Sequence, residues 1–231
     1  MIMFRYALKR GFFNPVALVL NCAVPIFLII ATRNQDMDVQ FMRGIFLIAV
    51  SVMFGAFFMA KGIQDDRMEG VLLRILCGPV TMWDYLFQNL LGAAVPMVGL
   101  SVVIGGLGFV LHGWSLTFAI GIMVCYAFLA ITSIGLSFLW SSIFKHKESS
   151  SAAFSAVATL ISFVGGLLIP LGMLPDLLFY LGALFPAHWA ARALEELVEY
   201  GRLTQMYGLS ILVMMLFAVL FILLGAKRRL I

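Results

Sequence analysis

Apolar residues in this chain run in long unbroken stretches instead of alternating with polar ones. Stretches free of charge fall at Phe12–Ala31, Gly44–Ala60, Tyr85–Leu111, Leu116–Phe144, Ser151–Leu174 and Met206–Ala226. About 20 apolar residues in a helix cross the ~30 Å of hydrocarbon in a bilayer. The pattern therefore predicts an all-α polytopic membrane protein with six transmembrane helices, forming one domain over residues 1–231. The first stretch reads as a span and not as a cleavable leader. Asn21 and Pro25 interrupt its apolar core, and no convincing cleavage site follows.

The segments between stretches carry patterns of their own. In residues 1–15, Met1, Phe4, Leu8 and Phe12 recur at helical spacing, with Arg5, Lys9 and Arg10 on the other side. That predicts an amphipathic elbow helix in the membrane interface, ended near Gly11 to Pro15. Between the second and third stretches lies the richest run of charge, KGIQDDRMEGVLLRILCGPVTMWDY. Its middle, Asp66 to Leu76, can form a short helix. Arg67 and Arg74 share one face, and Val71, Leu72, Ile75 and Leu76 form an apolar one. Gly78-Pro79 ends it. Such an element can dock into a groove on a soluble partner or remain a solvated loop, and the pattern allows both. After Leu174, the run Leu177–Phe185 is too short to span and predicts a re-entrant or interfacial helix broken by Pro186. A charged outer helix from His188 to Tyr200 follows, on which Arg192 can pair with Glu195 or Glu196.

Composition agrees with these elements and excludes other classes. The chain is 63% hydrophobic and 11% charged, with a mean hydropathy of +1.08. A soluble enzyme, a disordered tail or a disulfide-rich secreted module needs more polar surface than that. The net charge is +4. Its distribution fits topology better than nucleic-acid binding. With both termini inside, the inner segments hold Arg5, Lys9, Arg10, Lys61, Arg67, Arg74, Lys145, Lys147, Lys227, Arg228 and Arg229. Only Arg33, Arg43, Arg192 and Arg202 lie outside. Lys and Arg resist translocation, so this bias predicts cytoplasmic termini.

No charged residue falls inside a stretch. Carriers that move a coupling ion usually hold an ionisable group near mid-membrane. Uphill transport here would need energy from outside the membrane domain. No G-x-x-x-x-G-K-[ST] phosphate loop occurs, so ATP chemistry would belong to another polypeptide. Cys22, Cys77 and Cys125 lack metal spacing. His112, His146 and His188 stand alone, and His188 is expected to pack with Trp189. No catalytic or metal site is expected. Ser155, Thr159 and Ser162, with Ser151 and Gly166, fall within about an 80° arc of a helix. They suit close helix packing or a mildly polar wall of a pathway. Pro96 is expected to kink the third span.

The run Asp66-Arg67-Met68-Glu69-Gly70-Val71-Leu72-Leu73, followed by Gly78-Pro79-Val80-Thr81, resembles the cytoplasmic loop of ABC-2 type exporter permeases. Ile169-Pro170-Leu171-Gly172-Met173-Leu174-Pro175, then Leu184-Phe185-Pro186-Ala187-His188-Trp189 and Arg192-Ala193-Leu194, is similar to that family's stretch between its fifth and sixth spans. Val71 departs from the Thr that many relatives carry after the Gly. The resemblance implies that the loop is a coupling helix on an ABC ATPase subunit. Asp65, Asp66, Arg67, Glu69, Gly70, Leu72 and Leu73 would be its coupling residues. It also implies a second permease subunit, identical or not, with ATP and Mg held by the partner ATPase and no cofactor on this chain. The expected setting is a bacterial cytoplasmic membrane with its lipid, and no nucleic acid. The passenger would be amphipathic or apolar: a drug, antibiotic peptide, lipid or glycolipid. Two alternatives remain at this point. One is a lipid-modifying membrane enzyme, for which Asp65-Asp66 is the only pair of adjacent aspartates. The other is a non-transporting sensor or immunity subunit of the same fold.

Overall fold

A computed structural model describes residues 2–32, 39–143 and 147–227. Among these residues the fold is all helical. In chain order the helices are α1 (Ile2–Phe13), α2 (Pro15–Leu18), a π-helical turn (Val19–Ala23), α3 (Val24–Ala31), α4 (Val39–Met68), α5 (Val71–Leu76), α6 (Met82–His112), α7 (Leu116–Ser141), α8 (Lys147–Val164), a 3₁₀ turn (Leu171–Met173), α9 (Asp176–Gly182), α10 (Pro186–Tyr200) and α11 (Gln205–Lys227). Four helices are long and apolar enough to cross a membrane: α4, α6, α7 and α11. Two bent pairs raise the number to as many as six. The first is α1 with the helix from Pro15 to Ala31, bent by 70°, and the second is α9 with α10, bent by 105°. The chain is a multi-pass membrane protein.

Local chemistry explains the first bend. Asn14 is extended, and its side-chain oxygen accepts from the Val16 and Ala17 amides, while Pro15 opens the next helix. The π-turn that follows meets Pro25, which has no N–H to offer the preceding turn. Ser51 of α4 donates instead to the Leu20 carbonyl. The same turn buries Asn21 against Gly55, where any Cβ would overlap the Asn21 amide.

The expected fifth span, Ser151–Leu174, is not one helix. α8 stops at Val164. Gly165 and Gly166 follow, the latter with φ of +86°, and Pro170 prevents an early restart. The hydropathy of the run is continuous, but two glycines end a helix wherever a left-handed residue closes it. The irregular stretch is held by the Glu195 carboxylate, which accepts from the Leu171 amide at 3.0 Å.

α7 sits at the centre. Phe118, Ile122, Tyr126, Leu129 and Ile134 are buried along it. Tyr126 donates to the Ile45 carbonyl of α4 (2.8 Å), Thr132 to the Met214 carbonyl of α11 (3.0 Å), and Tyr207 of α11 to the Gly121 carbonyl (2.7 Å). Each bond joins two helices where lipid offers no competing partner. α10 lies closer in than a charged outer helix would. Ala187, Ala190, Ala191, Ala193, Leu194 and Leu197 are fully buried against the bundle. Its carboxylates anchor loops instead of pairing with Arg192: Glu195 holds Leu171, and Glu196 accepts from Thr204 at 2.6 Å. His188 is 1% exposed, edge-on to Phe179 and Trp189, in line with the packing role expected from sequence.

Candidate functional site at one end of the bundle

The charged residues singled out in the sequence converge on one end of the bundle. α1, the C-terminal turns of α4 and α7, α5 and the N-terminus of α6 meet there. Ile63, Leu72, Tyr85, Leu86 and Phe138 form its apolar centre, and Met3 and Ala226 pack on it. The first and last described segments of the chain therefore lie at the same end.

The helix expected over Asp66–Leu76 is two pieces. α4 continues through Asp65, Asp66 and Arg67 to Met68. Gly70 then turns in the left-handed region (φ 70°), and α5 starts at Val71. Glycine takes that conformation without the steric cost of a Cβ. The consequence is a correction: Arg67 and Arg74 do not share a face, because they sit on different helices.

Asp66 is the hub of the end. Its Oδ1 accepts from the Arg10 guanidinium at 2.6 Å, and its Oδ2 accepts from the Tyr85 hydroxyl at 2.6 Å. The Asp66 side chain is only 15% exposed. Three segments, α1, α4 and α6, are thereby tied through one carboxylate. Gly62 makes room for this. A Cβ there would fall 1.9 Å from a guanidinium nitrogen of Arg10. Gly92 lets α1 approach α6, since its Cβ would lie 2.7 Å from that of Ala7. Arg67 reaches α7, donating to the Ser141 carbonyl at 2.7 Å. A cation on the last carbonyls of a helix also favours its dipole.

The expected coupling residues thus divide. Asp66 and Arg67 tie the bundle together, Asp65 is half-buried beside them, and Gly70 makes the turn. Leu72 is 2% exposed and anchors α5 in the apolar centre. Glu69, Leu73 and Arg74 face outward, Leu73 with 54% exposure. On α1, Arg5 and Lys9 are exposed, but Arg10 turns inward to Asp66 and leaves the solvated face expected of it. Met1 and the side chain of Phe12, part of the expected apolar face, lie outside the described residues, as do Arg33, Lys145, His146, Arg228, Arg229 and the side chain of Lys147. Sequence reading missed Tyr85 and Ser141. Tyr85 was legible only as a residue at a span boundary, and Ser141 acts through its backbone, which no side-chain motif reveals.

The small polar residues of α8 differ in exposure within the described chain. Ser162 is buried, Ser155 half-buried and Thr159 exposed. Each donates to a carbonyl one turn back on its own helix, at 2.8–2.9 Å. Among the described residues, no group of three or more His, Cys, Asp or Glu side chains could hold a metal ion.

A family model described as ABC-2 family transporter protein matches residues 24–227. Comparison with curated proteins gives no match.

Proposed function

Since this chain belongs to the ABC-2 family of transporter proteins and is a membrane permease of an ABC transporter, we propose that it is the membrane half of an exporter driven through the Asp66 end of its bundle. The motor is a separate ABC ATPase, on which ATP and Mg are bound. In this reading both termini are cytoplasmic, the chain crosses the membrane six times, and a second permease subunit closes the pathway. The membrane is the bacterial inner membrane. The passenger is amphipathic or apolar.

The observation that carries the reading is the construction of α5. It protrudes with Leu73 and Arg74 outward, yet Leu72 roots it in the cluster of Ile63, Tyr85, Leu86 and Phe138. The Gly70 turn joins it to α4, beside the carboxylate that binds α1 and α6. A force on α5 therefore reaches three membrane segments at once. The family supports association with an ABC ATPase, and the excess of Lys and Arg at this end supports its cytoplasmic placement.

The test uses the outward pair, because reversing Asp66 or Arg67 would damage the fold. A Leu73→Asp/Arg74→Glu variant should remain folded but lose co-purification with its ABC ATPase partner. Loss of a buried interface anchor weakens binding by about thirty-fold or more. Vesicles carrying the variant should show no ATP-dependent passenger movement. Retained co-purification and full transport would exclude α5 as the coupling element.

A further inference from the structure

The opposite end of α4 holds a cavity that the coupling role does not use. Its volume is about 490 Å³, within the range of small-molecule sites. One wall is the first turns of α4, with Phe46 and Leu47. The other is the irregular stretch after α8, with Leu167, Leu168 and Met173. Arg43 is the one charged residue in the lining and is exposed at the mouth. Among the described residues, the only ion pair is Arg10–Asp66, so none of them neutralises Arg43.

Three features bear on the occupant. The lining is otherwise apolar, and Met173, 76% exposed, gives the mouth an adaptable side chain. The second wall is largely irregular, with no α-helix between Leu167 and Met173. Backbone of that kind persists at membrane depth only where protein covers it or where it lines a cavity, and transporters use such breaks to build passenger sites. This wall is also fixed in place. Leu167 and Leu168 donate to the Ser162 carbonyl at 2.9 and 3.2 Å, and Glu195 holds the Leu171 amide. Finally, a guanidinium at the membrane boundary attracts acidic headgroups.

We propose that this cleft binds an anionic amphiphile of the membrane, its apolar body between α4 and Leu167–Met173 and its acidic head on Arg43. The inference rests on the reading of the chain as a permease and gives that permease a passenger class at the end remote from the motor. An acidic head at Arg43 and an apolar body in the cleft place the ligand along the boundary, open to the lipid.

Photo-crosslinking tests it. The full chain, with p-benzoylphenylalanine at Met173, is placed in nanodiscs of equal phosphatidylglycerol and phosphatidylcholine with matched acyl chains, and adducts are counted by mass spectrometry. The expected result is phosphatidylglycerol in excess by about five-fold, from one lysine- or arginine-type contact at a membrane surface. The same probe at Leu220, exposed on α11, should give near parity. Arg43→Glu should abolish the excess at Met173, and Arg43→Lys should keep most of it. Thermal unfolding of each variant confirms that Arg43, being exposed, is dispensable for folding. Parity at Met173 in the parent chain, or an unchanged excess in R43E, would overturn the proposal. Neither measurement requires ATP or the ATPase, so failure here leaves the α5 coupling test standing, and failure of that test leaves this site standing.

Discussion

The two ends of the bundle are held together by different physics. At the Asp66 end, separate segments are joined by side-chain charge: Arg10, Asp66 and Tyr85 link α1, α4 and α6, and Arg67 closes onto α7. At the far end, shape does the same task. Gly165 and Gly166 end α8, the stretch to Met173 folds back without regular helix, and a single carboxylate, Glu195, pins it. A charged tie transmits a push between elements while letting them remain distinct. A backbone break makes a concavity. On the proposed reading, force would enter at the first end and a ligand cleft would lie at the other.

The comparison is broken most severely at the far end by Gly166→Val. The residue has φ of +86°, and a Cβ would fall 2.2 Å from a Leu171 methyl. Conformational strain and overpacking together are expected to cost about 3 kcal/mol or more. The readout is yield of monodisperse protein and its unfolding temperature in detergent, with loss of the Met173 crosslink. At the near end, Asp66→Ala strands the Arg10 guanidinium and the Tyr85 hydroxyl. The expected destabilisation is about 2–3 kcal/mol, measured by thermal unfolding. Asp66→Asn, which keeps an acceptor for Tyr85, should recover part of it. If D66A unfolds like the parent chain, the charged tie is not what joins α1 to α6. The smallest effect is expected between the ends. Thr159→Val removes a hydroxyl that bonds only its own helix at an exposed position, and stability should move by less than about 0.5 kcal/mol. A larger loss would mean that Thr159 meets a partner outside this chain.

Several features of the fold were legible because they depend on neighbours in sequence. Asn14-Pro15 makes the bend after α1 through its own cap, and Gly70 and Pro186 punctuate helices where they stand. The expected re-entrant or interfacial element at Leu177–Phe185 falls on α9 and the turn into α10, broken at Pro186. The interruption of α8 was missed. Leu167, Leu168 and Ile169 keep the hydropathy of a span going, and the closeness of Ala187 and His188 to Gly165 is not written in that run.

Hydropathy, basic-residue bias and turn chemistry act over a few residues or over the period of one helix. They were enough to specify a membrane-embedded helical chain and its most highly charged segment. Which charge meets which partner was decided only by packing. Arg10 finds Asp66 across 56 positions, Tyr85 reaches it across 19, and Arg67 finds a backbone carbonyl 74 residues away. The Arg10 pairing exists because Gly62 leaves room for its guanidinium and Gly92 lets α1 approach α6. Distance in three dimensions, not spacing along the chain, sets the energy of a charged contact.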